Sequence, residues 1–284
     1  MKGPDRNQQP LKIGVFDSGF GGLTVLHSLL RAIPGAEFLY LGDTARLPYG
    51  SKSQATVARY AVQSAQLLTS WGAQYLVIAC NTASALALDA IRSAVSIPVM
   101  GVIEAGAESA AARSRSRDVL VLATAATVQS HAYAAACAAK GMRSIEKACP
   151  LLVPLIEEGW TNHAVTRQVL RIYMDEAFAS ALARHHAIDT VLLGCTHYPL
   201  LRPLLEETLP AGVTILDSAE TTAKRVQRDL GHQDSQTEHA NSATGAALAR
   251  THFFATDSVD KFRTLGSHFL GEPIETVELI DLGG

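Results

Sequence analysis

The chain has 284 residues, about half of them apolar, with a formal net charge of −3. That length predicts roughly two domains, and the near-neutral charge lacks the basic footprint of a nucleic-acid binder. The four cysteines, Cys80, Cys137, Cys149 and Cys195, are too sparse in a chain this long for a disulfide scaffold, and the lack of a CxxC pair argues against a structural zinc site.

The first ten residues are polar and lack the apolar stretch of a secretory signal. Strands are expected at 11–16, 37–41, 75–79, 98–102, 119–123, 190–193 and 213–216. Helical patterns lie between them at 23–32, 54–71, 128–140, 164–184 and 219–230. Arg113, Arg115 and Arg117 read as a solvated turn between two apolar segments, not as a nucleic-acid patch. Residues 231–241 read as a polar surface loop, followed by an apolar run at 252–255, a helix at 259–270 and a strand-like piece at 274–279. No apolar run reaches the roughly 18 residues of a membrane span, so the expected setting is the reducing cytoplasm.

Most of these strands are continuous apolar runs, the pattern of a strand covered on both faces by helices. Their alternation with helices predicts an α/β fold with mainly parallel sheets. In such folds ligands sit beyond the carboxyl ends of the strands. The segments found there are Asp17-Ser18-Gly19-Phe20-Gly21-Gly22, then Gly42-Asp43-Thr44 with Leu47-Pro48-Tyr49-Gly50, then Cys80-Asn81-Thr82-Ala83, and finally Gly194-Cys195-Thr196-His197-Tyr198-Pro199. The glycines after the first strand permit a tight turn, but their spacing is not the GxGxxG dinucleotide fingerprint.

Residues 75–82 and 190–196 resemble each other, each an apolar strand, a small residue, a cysteine and a threonine-containing turn. This reads as an internal duplication, with one cysteine in each of two similar, pseudo-symmetric domains that face each other across a cleft. Two thiols across a cleft suit removal of a proton from one face of a carbon and its return to the other. A free thiol has a pKa of about 8.5, and a base works best with its pKa near the working pH. Asp17 and His197 are the candidate helpers. Cys137 and Cys149 are read as small buried hydrophobes, and His185 and His186 as non-catalytic residues near a helix end.

With these motifs in order over residues 11–230, the chain resembles the glutamate racemases of bacterial cell-wall synthesis, within the aspartate/glutamate racemase family. Gly101-Val102-Ile103-Glu104, Val153-Pro154-Leu155-Ile156-Glu157 and Asp217-Ser218-Ala219-Glu220-Thr221 extend the match. The resemblance implies that Cys80 and Cys195 are the acid/base thiols, with Asp17 supporting Cys80 and His197 supporting Cys195. It implies that Glu157 is a charged member of the catalytic set and Asp43 a charged member of the same site. It further implies that Ser18, Pro48, Tyr49, Gly50, Asn81, Thr82, Thr127 and Thr196 hold the amino acid; Glu104 stays outside the catalytic set. The family's fold implies a first α/β domain of residues 1–100 plus 210–284 and a second of 101–209, with the site between them. The family implies no cofactor and no metal, a small-molecule substrate, a homodimer and a cytoplasmic enzyme. The chain departs from the family around 123–130, where the resemblance carries only Thr127, after 231, and at the extra N-terminal residues.

Three other readings compete. An aspartate racemase would share the paired cysteines, although aspartate racemases more often carry Glu where His197 follows Cys195-Thr196. A catalytically weak relative would bind amino acid and regulate another enzyme. A thiol redox protein would need the two cysteine α-carbons within about 7 Å of each other.

Overall fold

The computed structural model describes residues 10–231, 245 and 247–283. Residues 1–9 and 232–241, which hold nearly all of the expected N-terminal extension and surface loop, lie outside the described residues. Ten strands form two sheets among the described residues, and every strand pair is parallel. The first sheet contains β1 (Lys12–Asp17), β2 (Glu37–Gly42), β3 (Tyr75–Ile78), β4 (Val99–Gly101), β9 (Thr251–Ala255) and β10 (Glu278–Leu279), in the order β10-β9-β2-β1-β3-β4. The second contains β5 (Asp118–Ala123), β6 (Arg143–Ala148), β7 (Thr190–Gly194) and β8 (Thr214–Asp217), in the order β6-β5-β7-β8.

The helices cover these sheets. In the first half they are α1 (Leu23–Ala32), α2 (Gln54–Ser70), α3 (Asn81–Leu86), α4 (Leu88–Ala94), α5 (Val102–Arg113) and α6 (Ala125–Gln129). They continue with α7 (Ala132–Ala138), α8 (Leu152–Glu157), α9 (Ala164–Ala183), α10 (Arg202–Thr208), α11 (Ala219–Asp229) and α12 (Val259–Leu270). Helix α1 follows from its spacing: Leu23, Leu26, Leu29 and Leu30 recur at helical intervals and are fully buried. Each such leucine contributes roughly 1.5–3 kcal/mol of hydrophobic stabilisation. No helix among the described residues is long and apolar enough to cross a membrane.

Strand alternation sorts the core into layers. One apolar cluster takes Ile13, Val15 and Val77 from the first sheet and Leu120, Leu122, Val191 and Leu193 from the second. The opposite faces build separate clusters, around Phe16, Leu76 and Ile78 on one sheet and Val119, Val121 and Leu192 on the other. The two lobes therefore share a core on one side and are covered by their own helices on the other.

Three expectations are corrected. Strand β8 pairs with β7, Thr190 opposite Thr214 through Leu193 opposite Asp217, so the second sheet runs past the boundary expected at 210. The single helix expected at 128–140 is broken into α6 and α7, because His131 takes a left-handed backbone with φ of 53°. Strand β6 and helix α5 were not marked by any apolar pattern. The strand is an edge strand of mixed, half-buried residues, and the helix is alanine-rich.

The turn at 113–117 is held by Asp189. Its carboxylate accepts hydrogen bonds from Ser114 Oγ at 2.7 Å, Arg115 N at 2.8 Å, Ser116 N at 2.7 Å and Thr190 Oγ1 at 2.9 Å. Burial works to raise its pKa, but these donors outweigh it and hold the carboxyl well below the usual carboxylate range. Replacing Asp189 with alanine is expected to cost about 2 kcal/mol of stability at neutral pH. Because the folded pKa is depressed, that contribution is complete above the unfolded value of about 3.9 and fades as the pH falls below it. Urea unfolding of both proteins at pH 7 and below pH 3 checks this; a gap that does not narrow in acid contradicts it.

Candidate active site

Each sheet has one place where the strand order reverses. In the first, the chain moves from β1 to β2 on one side and returns to β3 on the other; in the second, β6 and β7 flank β5 in the same way. Such reversals leave a crevice at the carboxyl ends of the two diverging strands. Ser18 and Cys80 lie just beyond β1 and β3, and Thr124 and Cys195 lie just beyond β5 and β7. The two cysteines thus occupy corresponding positions in the two sheets, and both border one cavity of about 340 Å³, at the small end of ligand sites.

Of the residues singled out from the sequence, Ser18, Pro48, Tyr49, Gly50, Cys80, Asn81, Thr82, Glu157, Cys195, Thr196 and His197 line this cavity. Asp17, Asp43 and Thr127 do not; all three are fully buried behind it. Asp43 accepts a hydrogen bond from the Tyr49 hydroxyl at 2.5 Å, from Arg46 Nε at 2.9 Å and from Thr256 Oγ1 at 3.0 Å. Its carboxylate is spent on holding the Tyr49 loop. Thr127 joins Thr82 and Thr124 in a triangle of hydroxyls, with sides of 3.2, 3.0 and 2.9 Å. Glu104 pairs with Arg225 at 3.1 Å, away from the cavity.

Sequence reasoning missed Thr124, Glu158, Cys149, Val153 and Pro154, which also line the cavity. Cys149 was read as a buried hydrophobe, and it is fully buried, yet it follows β6 at the same carboxyl edge. The sequence places Cys149 after a strand, but a thiol there is most simply a small buried hydrophobe. No Lys or Arg is among the lining residues described. Apart from His197, the groups that can meet an anionic part of a ligand are hydroxyls, amides and backbone N–H groups.

The two thiols sit in different electrostatic settings. Cys80 is the N-cap of α3; its sulfur receives the Ala83 N–H at 3.4 Å and lies 3.5 Å from Ser18 Oγ. Burial first, then the negative charge of Asp17, push the Cys80 thiol up to about 12 despite those two hydrogen bonds. The Asp17 charge thus adds to burial in favouring the protonated thiol. Its own carboxyl is raised by burial, with one oxygen bonded to Gly19 N–H at 2.8 Å and the other unpartnered.

On the other side, Cys195 Sγ lies 3.9 Å from His197 Nδ1. His197 Nε2 lies 3.2 Å from Glu157 Oε1, and Lys261 on α12 reaches Glu157 Oε2 at 3.3 Å. Burial opposes a charge on His197, but the Cys195 sulfur and the Glu157 carboxylate overcome it and lift the imidazole to about 10. Burial likewise opposes the Glu157 charge, and His197 and Lys261 outweigh it, lowering that carboxyl. The lobes meet tightly here: a Cβ on Gly21 would stand 2.3 Å from Thr196 Oγ1 and 2.6 Å from His197 Nδ1.

Two parallel α/β lobes closing on a small cavity with a sulfur on either side form the architecture of an enzyme that acts on a small molecule. The chain belongs to the Asp/Glu/Hydantoin racemase family, whose profile matches residues 13–226. It is 53% identical to the glutamate racemase of Koribacter versatilis, over 98% of this chain and 99% of that one. Among solved structures, it is similar to a glutamate racemase isoform of Bacillus anthracis, with a TM-score of 0.83 and 34% identity over 97% of this chain and 99% of that one. It is also similar to the glutamate racemase of Francisella tularensis in complex with D-glutamate, with a TM-score of 0.81 and 32% identity over 96% and 98% of the two chains.

The His197 environment yields a measurable expectation. Its folded pKa is raised, so its ionic contribution to stability is complete below the unfolded value of about 6.5 and is lost as the pH rises through about 10. Proton NMR of the His197 ring is expected to titrate near 10, and Glu157→Gln to move that midpoint downward. A wild-type midpoint near 6.5 would contradict the charge arrangement.

Proposed function

We propose that this protein is a glutamate racemase that interconverts L- and D-glutamate by passing protons between Cα and the paired thiols of Cys80 and Cys195. The observation that carries this reading is the pair of cysteines at corresponding strand-order reversals, bordering one cavity. The 53% identity to a glutamate racemase over nearly the whole chain supports the choice of substrate.

The protonation settings give the resting roles. Cys195, beside the His197 cation, is the base, and Cys80, held as a thiol, is the acid. The Cys195 sulfur forms an S–H bond with the α-proton, and the C–H electron pair passes into the α-carboxylate, leaving Cα planar. Cys80 then delivers its proton to the opposite face and is left as a thiolate. For the other enantiomer the two sulfurs exchange roles. The step needs no further reactant, so no cofactor or metal takes part. The substrate's ammonium group brings positive charge that eases formation of a thiolate at the buried Cys80. Ser18, Asn81, Thr82, Thr124 and Thr196 offer neutral polar groups for the two carboxylates. Asp43 and Thr127 act from behind the wall, Asp43 through Tyr49 and Thr127 through Thr82 and Thr124. The setting of this chemistry is the cytoplasm, where a homodimer supplies D-glutamate for peptidoglycan synthesis; light scattering giving a monomer mass would overturn the dimer.

The test is incubation with L-glutamate in heavy water without added cofactor, following optical rotation and α-deuterium together. D-glutamate carrying solvent deuterium is expected, while Cys80→Ser and Cys195→Ser are each expected to abolish racemisation, since a hydroxyl is a far weaker acid than a thiol. Near-normal turnover in either variant would defeat the two-thiol mechanism, and faster turnover of aspartate than of glutamate would defeat the substrate assignment.

A further inference from the structure

Asn81 follows Cys80 directly and opens helix α3. Its side chain is almost wholly buried at 3% exposure. The amide oxygen is satisfied, because the Tyr133 hydroxyl donates to Asn81 Oδ1 at 2.5 Å. The amide nitrogen is not: Asn81 Nδ2 is buried and has no partner. A dry, unpaired NH2 group is unfavourable, and this one belongs to a residue that lines the cavity.

An amide has two orientations, and something must select between them. Burial holds Tyr133 in its protonated form, and the Ser218 hydroxyl hydrogen-bonds to it. With Ser218 donating to the phenol oxygen, the phenol proton needs an acceptor. The amide oxygen of Asn81 supplies it; the flipped amide would present NH2 to the phenol in its place. The ring itself is clamped. A Cβ on Gly194 would lie 2.9 Å from Tyr133 Cε2, and one on Gly106 would lie 3.3 Å from Cε1.

We propose that Tyr133 is a positioning residue for the reaction: its hydroxyl, reaching from α7 of the second lobe, fixes the Asn81 amide so that its NH2 is held ready to donate to a substrate carboxylate. This rests on the racemase reading above. It gives a cavity without lysine or arginine an oriented donor beside the Cys80 sulfur. It also makes that orientation depend on both lobes, since Asn81 belongs to the first and Tyr133 to the second.

The experiment is a double-mutant cycle of Tyr133→Phe and Asn81→Ala, measured on glutamate turnover and, by calorimetry, on glutamate binding. Tyr133→Phe keeps the ring and is expected to raise KM about five- to tenfold, the scale of one oriented hydrogen bond, with kcat within about twofold. In the Asn81→Ala background the same change is expected to have no further effect, because the hydroxyl acts only through Asn81. Additive losses, or a Tyr133→Phe enzyme with unchanged KM and affinity, would overturn the proposal. Wild-type turnover decides the racemase reading separately. If the wild type binds glutamate without racemising it, the calorimetric cycle still decides the part played by Tyr133.

Discussion

The close approach of the two lobes at Gly21 is the constraint on which the rest of the site depends. The turn after β1 lies against Thr196 and His197 with no room for a side chain. Gly22 is equally confined on the other side of the turn, where a Cβ would stand 2.5 Å from Asp17 Cβ. Thr24, one residue into α1, donates its hydroxyl to the Gly21 carbonyl at 2.9 Å and lies 3.5 Å from the Thr196 carbonyl. Bare backbone at this seam lets the carboxyl ends of two separate sheets converge, and places groups from β1, β3, β5, β6 and β7 around one small cavity. Overpacking at such a contact forces the neighbours to move, and the neighbours here are the residues that flank Cys195.

Once the lobes converge, charge does the sorting. Both cysteines are buried to a similar degree, so burial alone does not separate them. What separates them is their company. Asp17 faces the Cys80 side with an anion, and the Glu157–His197 pair faces the Cys195 side with a cation. The chain Lys261–Glu157–His197–Cys195 also draws in α12, whose Phe262 packs on Phe20 and Tyr40 of the first lobe and whose Phe269 meets the His197 ring. A residue in the C-terminal part of the chain thereby joins the charge network of a sulfur in the middle of it.

Much of the fold and site was legible in the sequence, because parallel strands covered on both faces are continuous apolar runs and their ends carry the chemistry. The strand ends at Asp17, Leu41, Ala79 and Gly194 located four of the loops that build the cavity. Two residues of the loops after β5 and β6 escaped. Thr124 sits in a stretch where the motif is not distinctive, and Cys149 follows a strand but carries no motif that separates a cavity thiol from a buried one. The separation of binding residues from those behind them was also hidden. Asp43 and Thr127 lie in the right segments, but only the three-dimensional partners reveal that one is committed to Tyr49 and the other to a triangle of threonines. Asp17 was legible in place; that its charge adds to burial in raising the Cys80 thiol appears only with the three-dimensional neighbours. The C-terminal boundary was misplaced for a related reason. Strand β8 is short, and nothing in its residues tells which of two similar sheets it extends.

The unequal surroundings of the two sulfurs have a consequence for the catalytic cycle. Under the proposed reaction, a turnover that begins with the proton on Cys80 ends with it on Cys195, and the product departs from a protein that is a tautomer of the one the substrate entered. The two tautomers differ in energy, because one sulfur faces an anion and the other a cation. Before the next molecule of the same hand can react, the protein must shift its own proton back, with no substrate present. The free enzyme's relaxation is thus a leg of the cycle in its own right, and the duplicated strands that look interchangeable in sequence give the catalyst a preferred hand at rest.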